Sequence, residues 1–206
     1  MKKTLITTAA GLGAALLLSA CSTGSGGSGG DMAGMPGHSM PASSAPAPST
    51  DDPAGDGHNA ADTMFAAMMI PHHRQALEMS GIMLEKQGVP AEVTSLARRI
   101  QQAQGPEISM LTSWLSAWGE KQADHGGHSM EGMMSAEDLE QLKSAQGTEA
   151  ARLFLTQMIK HHEGALTMAR TESRDGKDAK AVELSRKIVK DQAAEIAEMK
   201  KLLAGL

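Results

Sequence analysis

Residues 69–79 read MIPHHRQALEM, and residues 158–168 read MIKHHEGALTM. Both stretches combine Met-Ile, a pair of histidines, Ala-Leu and a final methionine, at a constant offset of 89 residues. Phe65 and Phe154 extend the match at the same offset. A motif that recurs at a fixed spacing indicates an internal structural repeat.

The segments that follow each motif also match, at an offset of 88 residues. The one-residue difference falls in the intervening turns, which contain Gly88 and Gly176. Each repeat is therefore predicted to be a helical hairpin with its own glycine-containing turn. The matching positions are Leu96, Arg98, Ile100, Gln104, Glu107 and Ile108 in the first repeat and Leu184, Arg186, Ile188, Gln192, Glu195 and Ile196 in the second.

One helical hairpin cannot cover its own apolar face, so two hairpins should pack as an all-α four-helix bundle. The bundle should occupy residues 61–206, with repeat one at 61–119 and repeat two at 148–206. Between them, residues 120–147 should form a Met/His loop and a short helix over 136–144, capped by a serine. The four long helices are expected near 61–87, 91–119, 148–174 and 178–204.

The N-terminus has the pattern of a secretory signal peptide over residues 1–20. Two lysines precede a short apolar run, and the tetrapeptide LSAC ends at Cys21. This tetrapeptide resembles the lipobox of bacterial lipoproteins, which implies cleavage before Cys21 and a lipid on its sulfur. The other interpretation is an ordinary signal with a nearby cysteine, but Cys21 is the only cysteine in the chain.

Residues 21–60 are rich in Gly, Ser, Pro and Ala and should form a disordered, flexible tether. Without the signal, the chain has 17 basic and 24 acidic residues, a formal charge of −7. This balance argues against nucleic acid as a partner. The expected location is outside the cytoplasm, on the outer side of a bacterial membrane.

A helical wheel of the first motif separates a solvated face from an apolar one. Arg74 and Glu78 fall on the solvated side, whereas His72 and His73 flank the centre of the apolar stripe. The second motif repeats this arrangement, with Glu163 facing outward. The apolar stripe of the first motif contains Phe65, Met69, His72, His73, Ala76, Met79 and Met83.

Two interpretations fit these histidines and methionines. They could be core residues, since a buried His is usually hydrogen-bonded and Met fills cores well. However, four buried imidazoles are costly without partners, and a soft metal ion would supply one. The candidate metal ligands are Met69, His72, His73, Met79, Met158, His161, His162 and Met168.

Met and His also occur outside these motifs. The tripeptide His-Ser-Met occurs at 38–40 in the tether and at 128–130 in the loop. These segments could capture metal weakly, or they could be polar linkers with incidental Met and His. The further candidates are Met83, His125, His128, Met130, Met133 and Met134, with Met32, Met35, His38 and Met40 in the tether.

Thioether and imidazole ligands together indicate copper, above all Cu(I), with Cu(II) or another transition metal still open. Zinc would favour Cys, His and carboxylate ligands. The chain has no Glu-x-x-His motif, and Glu78 and Glu163 face outward, so we expect no inward carboxylates of the di-iron type. No nucleophile–base pair or phosphate-binding loop occurs, which predicts a protein that is not an enzyme.

The paired motifs, the Gln-x-x-Glu-Ile segments and the stretch MMSAEDLEQL at 133–142 resemble domain-of-unknown-function family 305. The resemblance covers about residues 60–206. It implies a ferritin-like four-helix bundle, often exported, with some members tied to copper binding and copper tolerance. The family motif maps onto Met69, His72, His73, Met79, Met158, His161, His162 and Met168.

We therefore expect a lipid-anchored, extracytoplasmic protein that buffers or sequesters copper. The alternative is a helical bundle without metal that serves as a structural or partner-binding module. Pro71 is the one feature of the first motif that the second lacks, since Lys160 takes its place. A proline inside a helix removes a backbone hydrogen bond and bends the axis.

Overall fold

The computed structural model describes residues 57–122 and 130–206, in which five helices and no strands occur. The prediction of an all-α fold is confirmed. Within these residues, no helix has the length and apolarity needed to cross a membrane. The predicted signal peptide, Cys21, the predicted tether up to residue 56, His125 and His128 lie outside the described residues. The helices are α1 (Ala60–Leu84), α2 (Ala91–Trp118), α3 (Ala136–Ser144), α4 (Gly147–Asp175) and α5 (Ala179–Gly205).

The four long helices form two hairpins. Helix α1 packs along α2, α4 packs along α5, and the hairpins meet mainly through α1 and α4. Helix α1 ends three residues earlier than predicted, at Leu84. The chain then turns at Gly88, where φ is 71° and only glycine avoids strain. The ammonium of Lys86 donates to the carbonyls of Lys143 and Ala145, which holds this turn against the end of α3.

The short helix α3 confirms the predicted serine cap. The hydroxyl of Ser135 accepts from the backbone N–H of Asp138, and the Asp138 carboxylate accepts from the N–H of Ser135. This reciprocal pair satisfies two backbone donors that a helix start leaves unpaired. Leu142 then anchors the helix by complete burial of its side chain.

A buried carboxylate joins the start of α1 to the turn between α4 and α5. Asp62 accepts hydrogen bonds from the backbone N–H groups of Asn59, Lys177 and Asp178, at 2.6–3.1 Å. Burial would raise the pKa of Asp62, but the nearby Glu172 and these backbone donors lower it below its usual value. Burial and the charge of Asp62 raise the pKa of Glu172 to about 8.

The apolar core consists of two clusters, one toward each end of the bundle. The first includes Met79, Met83, Leu96, Phe154, Met158 and Met199. The second includes Phe65, Met69, Leu111, Leu115, Ala165 and Ile188. In each of the four long helices, buried polar residues occur between the residues of one cluster and those of the other. We call this set the polar layer; it consists of His72, His73, Gln104, Glu107, His161, His162, Gln192 and the partly buried Glu195.

A segment that we call the strap, residues 130–135, crosses from α1 to α4. The side-chain amide of Gln75 on α1 exchanges two hydrogen bonds with the backbone of Met134, at 2.7 and 2.9 Å. On α4, Gly164 leaves the space that the carbonyl of Glu131 fills, and a Cβ there would overlap that carbonyl. Gly132 also lies close to α4, because a Cβ on it would lie 2.9 Å from the carbonyl oxygen of Lys160 and 3.0 Å from that of His161.

Among the five helices that the structure describes, those of the first repeat alone contain proline. Pro71 lies within α1 and Pro106 within α2, and both helices continue past them. Each proline directly precedes a residue of the polar layer, His72 or Glu107. Because each removes one backbone hydrogen bond, the first hairpin has weaker backbone bonding at this level than the second.

Candidate metal centre

Two histidines from different hairpins meet in the polar layer. The ring centroids of His72 on α1 and His161 on α4 are 3.8 Å apart, with the rings tilted by 39°. Their exposed fractions are 0 % and 1 %. None of their four ring nitrogens has a hydrogen-bond partner of good geometry. Buried polar atoms are nearly always paired, so this contact needs a physical explanation.

Both rings are neutral at physiological pH. Burial lowers the pKa of His72 to about 3, with further lowering by His73 and His162, while the nearby backbone of Glu131 opposes it weakly. Burial also lowers the pKa of His161 well below its usual value, and the neighbouring histidines add to this. Each ring therefore keeps a nitrogen lone pair without competition from a proton, which is the form that binds a metal ion.

His73 differs from His72 because a carboxylate holds it. Its Nε2 lies 2.9 Å from Oε2 of Glu107, which is 5 % exposed. Burial lowers the pKa of His73 more than Glu107 raises it, so the imidazole is neutral. A carboxylate can only accept, so Nε2 carries the proton and Nδ1 has a bare lone pair. That Nδ1 is buried and has no partner.

Glu107 stays ionised in this environment. Burial alone would raise its pKa, but the hydrogen bond from His73 and the hydrogen bond and charge of Lys187 lower it below its usual value. The ammonium of Lys187 on α5 donates to Oε1 of Glu107 at 3.0 Å, so the two carboxylate oxygens have different partners. At metal sites, a carboxylate that accepts from one ring N–H of a histidine fixes the tautomer and orients the other ring nitrogen toward the metal.

The second repeat reproduces this pair. Nε2 of His162 lies 2.7 Å from Oε2 of Glu195, and Nδ1 of His162 is buried without a partner. The Glu195 side chain is 19 % exposed, against 7 % for that of Glu107. The two hairpins thus contribute equivalent histidine–carboxylate pairs, of which the first is the more deeply buried.

The expectation that no carboxylates face inward is wrong, because Glu107 and Glu195 do so. Glu78 and Glu163 are exposed as predicted, but α2 and α5 supply the inward carboxylates. The available signal was the repeated Gln-x-x-Glu segment, since a polar pair duplicated on an apolar face indicates a shared buried role.

The predicted methionine ligands lie at different levels of the bundle. Met69 and Met158 are fully buried in the clusters on either side of the polar layer. Met69 is three residues before His72, about 4.5 Å along the helix axis. Met79 is seven residues beyond His72, about 10 Å along the axis, and packs in the first core cluster with Met83. Met168 lies at the edge of the second cluster.

The strap places the loop methionines beside the bundle. Met134 is 6 % exposed and belongs to the first core cluster, where its backbone is held by Gln75. Met130 and Met133 are partly buried, and they flank Glu131 and Gly132 on the strap.

In residues 57–122 and 130–206, no group of three or more His, Cys, Asp or Glu side chains is arranged to hold a metal ion. The donors present are lone pairs on buried imidazoles and thioethers in the adjacent core. That set is unsuited to a hard cation, which needs several oxygen ligands. It suits a soft monovalent ion such as Cu(I), which thioethers and imidazoles bind and which accepts low coordination numbers.

Fold and site together define a class: a duplicated four-helix bundle with a buried layer of paired histidines and carboxylates. The family model described as "Domain of unknown function (DUF305)" matches residues 62–203. The chain belongs to this family.

Solved structures of the family share the fold. A protein described as a secreted DUF305 protein from Streptomyces coelicolor is 32% identical, with a TM-score of 0.66, over 70% of this chain and 93% of that one. A DUF305 fragment from Deinococcus radiodurans is 30% identical, with a TM-score of 0.67, over 73% of this chain and 100% of that one.

A third similar protein is CopM. Its Cu(I)-bound form is 30% identical, with a TM-score of 0.59, and the match covers 70% of this chain and 96% of CopM. CopM structures in Cu(II)-bound, silver-bound and apo forms also match. No curated protein sequence matches the chain.

Proposed function

We propose that this protein is an exported, lipid-anchored copper-binding protein that holds Cu(I) as cargo in the polar layer. The observation that carries the proposal is the contact of His72 with His161, where four buried ring nitrogens have no hydrogen-bond partner. Leaving such groups unpaired costs about 1–3 kcal/mol each. A bound ion would recover that free energy, and so explains why the layer is polar.

The residues that would hold the ion are the four histidines of the layer. Glu107 and Glu195 would orient His73 and His162, each through its Nε2–H. The thioethers of Met69 and Met158 are soft donors in the adjacent core. CopM, whose Cu(I)-bound form is 30% identical to this chain, has been crystallised with Cu(I), Cu(II) and silver. The oxidation state +1 is preferred here because the donor set is soft and lacks a carboxylate free of other partners.

The location follows from the N-terminal sequence. Cleavage before Cys21 and lipidation of its sulfur would anchor the mature chain to the outer side of a bacterial membrane. In an oxidising compartment a protein without thiols can hold copper only through imidazole, thioether and oxygen ligands. Mass spectrometry of the membrane fraction tests the anchor, because Cys21→Ala should abolish the added lipid mass.

A Cu(I) competition titration against a coloured chelator tests the site. Replacing His72, His73, His161 and His162 together by Ala should remove the tightest binding, whereas His58→Gln outside the layer should not. A ligand that binds only the folded state stabilises it by about 2.7 kcal/mol at 100 times its Kd. Unchanged affinity and stoichiometry in the four-histidine variant would overturn the assignment of the site to these histidines. The absence of any copper-dependent gain in stability in the wild-type protein would favour the alternative, a structural or partner-binding bundle.

A further inference from the structure

Three methionines that the polar layer does not use line one open pocket. Met64 and Met68 on α1 and Met168 on α4 border a cavity of about 460 Å³ between these helices. Its lining also includes the carboxyl-bearing Glu131 and Glu172, and it includes no Lys or Arg. The pocket thus combines soft sulfur donors with surroundings that do not repel a cation.

Core packing accounts for Met168, at the edge of the second cluster, but not for Met64. Met64 is 61 % exposed, although it is one of the large apolar side chains of the bundle, and Met68 and Met168 are only partly buried. On one helix, residues four apart have Cβ atoms about 5–6 Å from each other, so Met64 and Met68 present their thioethers side by side. Flexible side chains with three rotatable bonds can bring the sulfurs together across the pocket.

The hydroxyl groups of the pocket wall compete little with the sulfurs. The hydroxyl of Thr167 donates to the carbonyl of Glu163, and that of Thr171 donates to the carbonyl of Thr167, so both are turned toward their own helix. Besides the carboxyls of Glu131 and Glu172, the thioethers are therefore the accessible donors of the pocket, and thioethers select soft ions.

The pocket lies next to the polar layer. Met64, Met68 and His72 follow one another at intervals of four residues on α1, about 6 Å of axial rise per step. Glu131 of the strap lines the pocket, and its backbone also lies beside His72. The strap therefore separates the solvent-facing methionines from the buried histidine contact.

We propose that Met64, Met68 and Met168 form a second, solvent-accessible site for one soft monovalent metal ion, Cu(I) or Ag(I). This site is distinct from the polar layer, and binding there does not require the layer to bind metal. Its position on the outer side of the strap makes it an entry site, at which an ion exchanges water for thioether ligands without a change of oxidation state.

The test uses the full chain with ¹³C-methyl-labelled methionine and silver(I) as the probe. The methyl signals are assigned by single Met→Leu substitutions, which keep size and apolarity. We expect the signals of Met64, Met68 and Met168 to shift together and to saturate with one equivalent of Ag(I) beyond the amount that the polar layer takes up. Met110, which is 41 % exposed on α2, serves as the control and should not shift.

Residue-level signals are needed because the chain has 16 methionines. The proposal fails if the three signals do not move, if they saturate independently of one another, or if Met110 moves in parallel. A His72→Leu, His161→Leu variant separates the two sites, because the three methyl shifts should persist in it. Loss of the shifts in that variant would overturn the second site, whereas the Cu(I) titration of the four-histidine variant judges the polar layer alone.

Discussion

Replacing His72 and His161 together by leucine should stabilise the metal-free protein. Both rings are fully or almost fully buried, and each contains an N–H and a lone pair without a partner. Removing both members of an unsatisfied contact relieves the desolvation cost, and the apolar clusters on either side of the layer can accept leucine. Most core substitutions destabilise, so a gain in stability is a specific expectation.

The magnitude follows from the number of unpaired groups. Counting only the N–H of each ring, the double substitution relieves about 2–6 kcal/mol, at about 1–3 kcal/mol per buried unsatisfied group. The change of shape from imidazole to leucine costs up to about 1.5 kcal/mol at each position. We expect a net gain of about 2 kcal/mol, which raises Tm by about 4–8 °C in a protein of this size.

Urea denaturation followed by circular dichroism, with copper removed by a chelator, measures the change. His73→Leu is the matched control, since it leaves the buried Glu107 without its 2.9 Å partner and should destabilise by about 1–3 kcal/mol. A change in the free energy of unfolding that has opposite signs for His73 and for the His72–His161 pair would follow only from their different hydrogen bonding. A double variant that is less stable than wild type by more than about 1 kcal/mol would refute the reasoning.

Three further predictions concern the groups around the layer. Glu107→Gln should weaken Cu(I) binding by about 10–100-fold in a competition titration, because a partner that orients a ligand histidine is altered; unchanged affinity would contradict this. Gly164→Ala should cost about 1–3 kcal/mol in urea denaturation, because its Cβ would overlap the Glu131 carbonyl, whereas Gly81→Ala has no contact closer than 3.7 Å and should gain up to about 1 kcal/mol. The pKa of Glu172 is raised to about 8, so the folded state binds the proton of this carboxyl more tightly than the unfolded state does. The stability that this proton contributes is complete below pH 4.5, the ordinary pKa of the group, and is lost as pH rises to about 8. Glu172→Gln cannot titrate, and its stability relative to wild type should increase by up to about 1.4 kcal/mol per pH unit in that window; a difference independent of pH would contradict the assignment.

Local patterns were sufficient for the helices and their faces. The spacing of three and four residues along one helix predicted that His72, His73, Met69 and Met79 face inward, and all four are buried. The serine cap of α3 was equally predictable, because a capping box involves residues only three apart. The start of α1 was missed by one residue, since the capping asparagine, Asn59, was not recognised.

Contacts between helices could not be derived in this way. The helical wheel places the histidines on a buried face, but it does not show that His72 contacts His161. Nor does it show that Glu107 on α2 binds His73 and that Glu195 on α5 binds His162. Such pairings depend on which helices are neighbours and on their axial offset, and both are set by packing over the whole bundle.

The sequence by itself determined the repeat, the all-α class, the inward faces of the histidine motifs and a soft donor set without thiols. These properties depend on residue types and on separations within single helices, where geometry is regular. Only the tertiary structure decided which nitrogens are paired and which are free, where the strap lies on Gly164, and that Met64, Met68 and Met168 share a pocket. Those features arise from residues 33 to 104 positions apart, and their contact is a result of close packing rather than of local sequence.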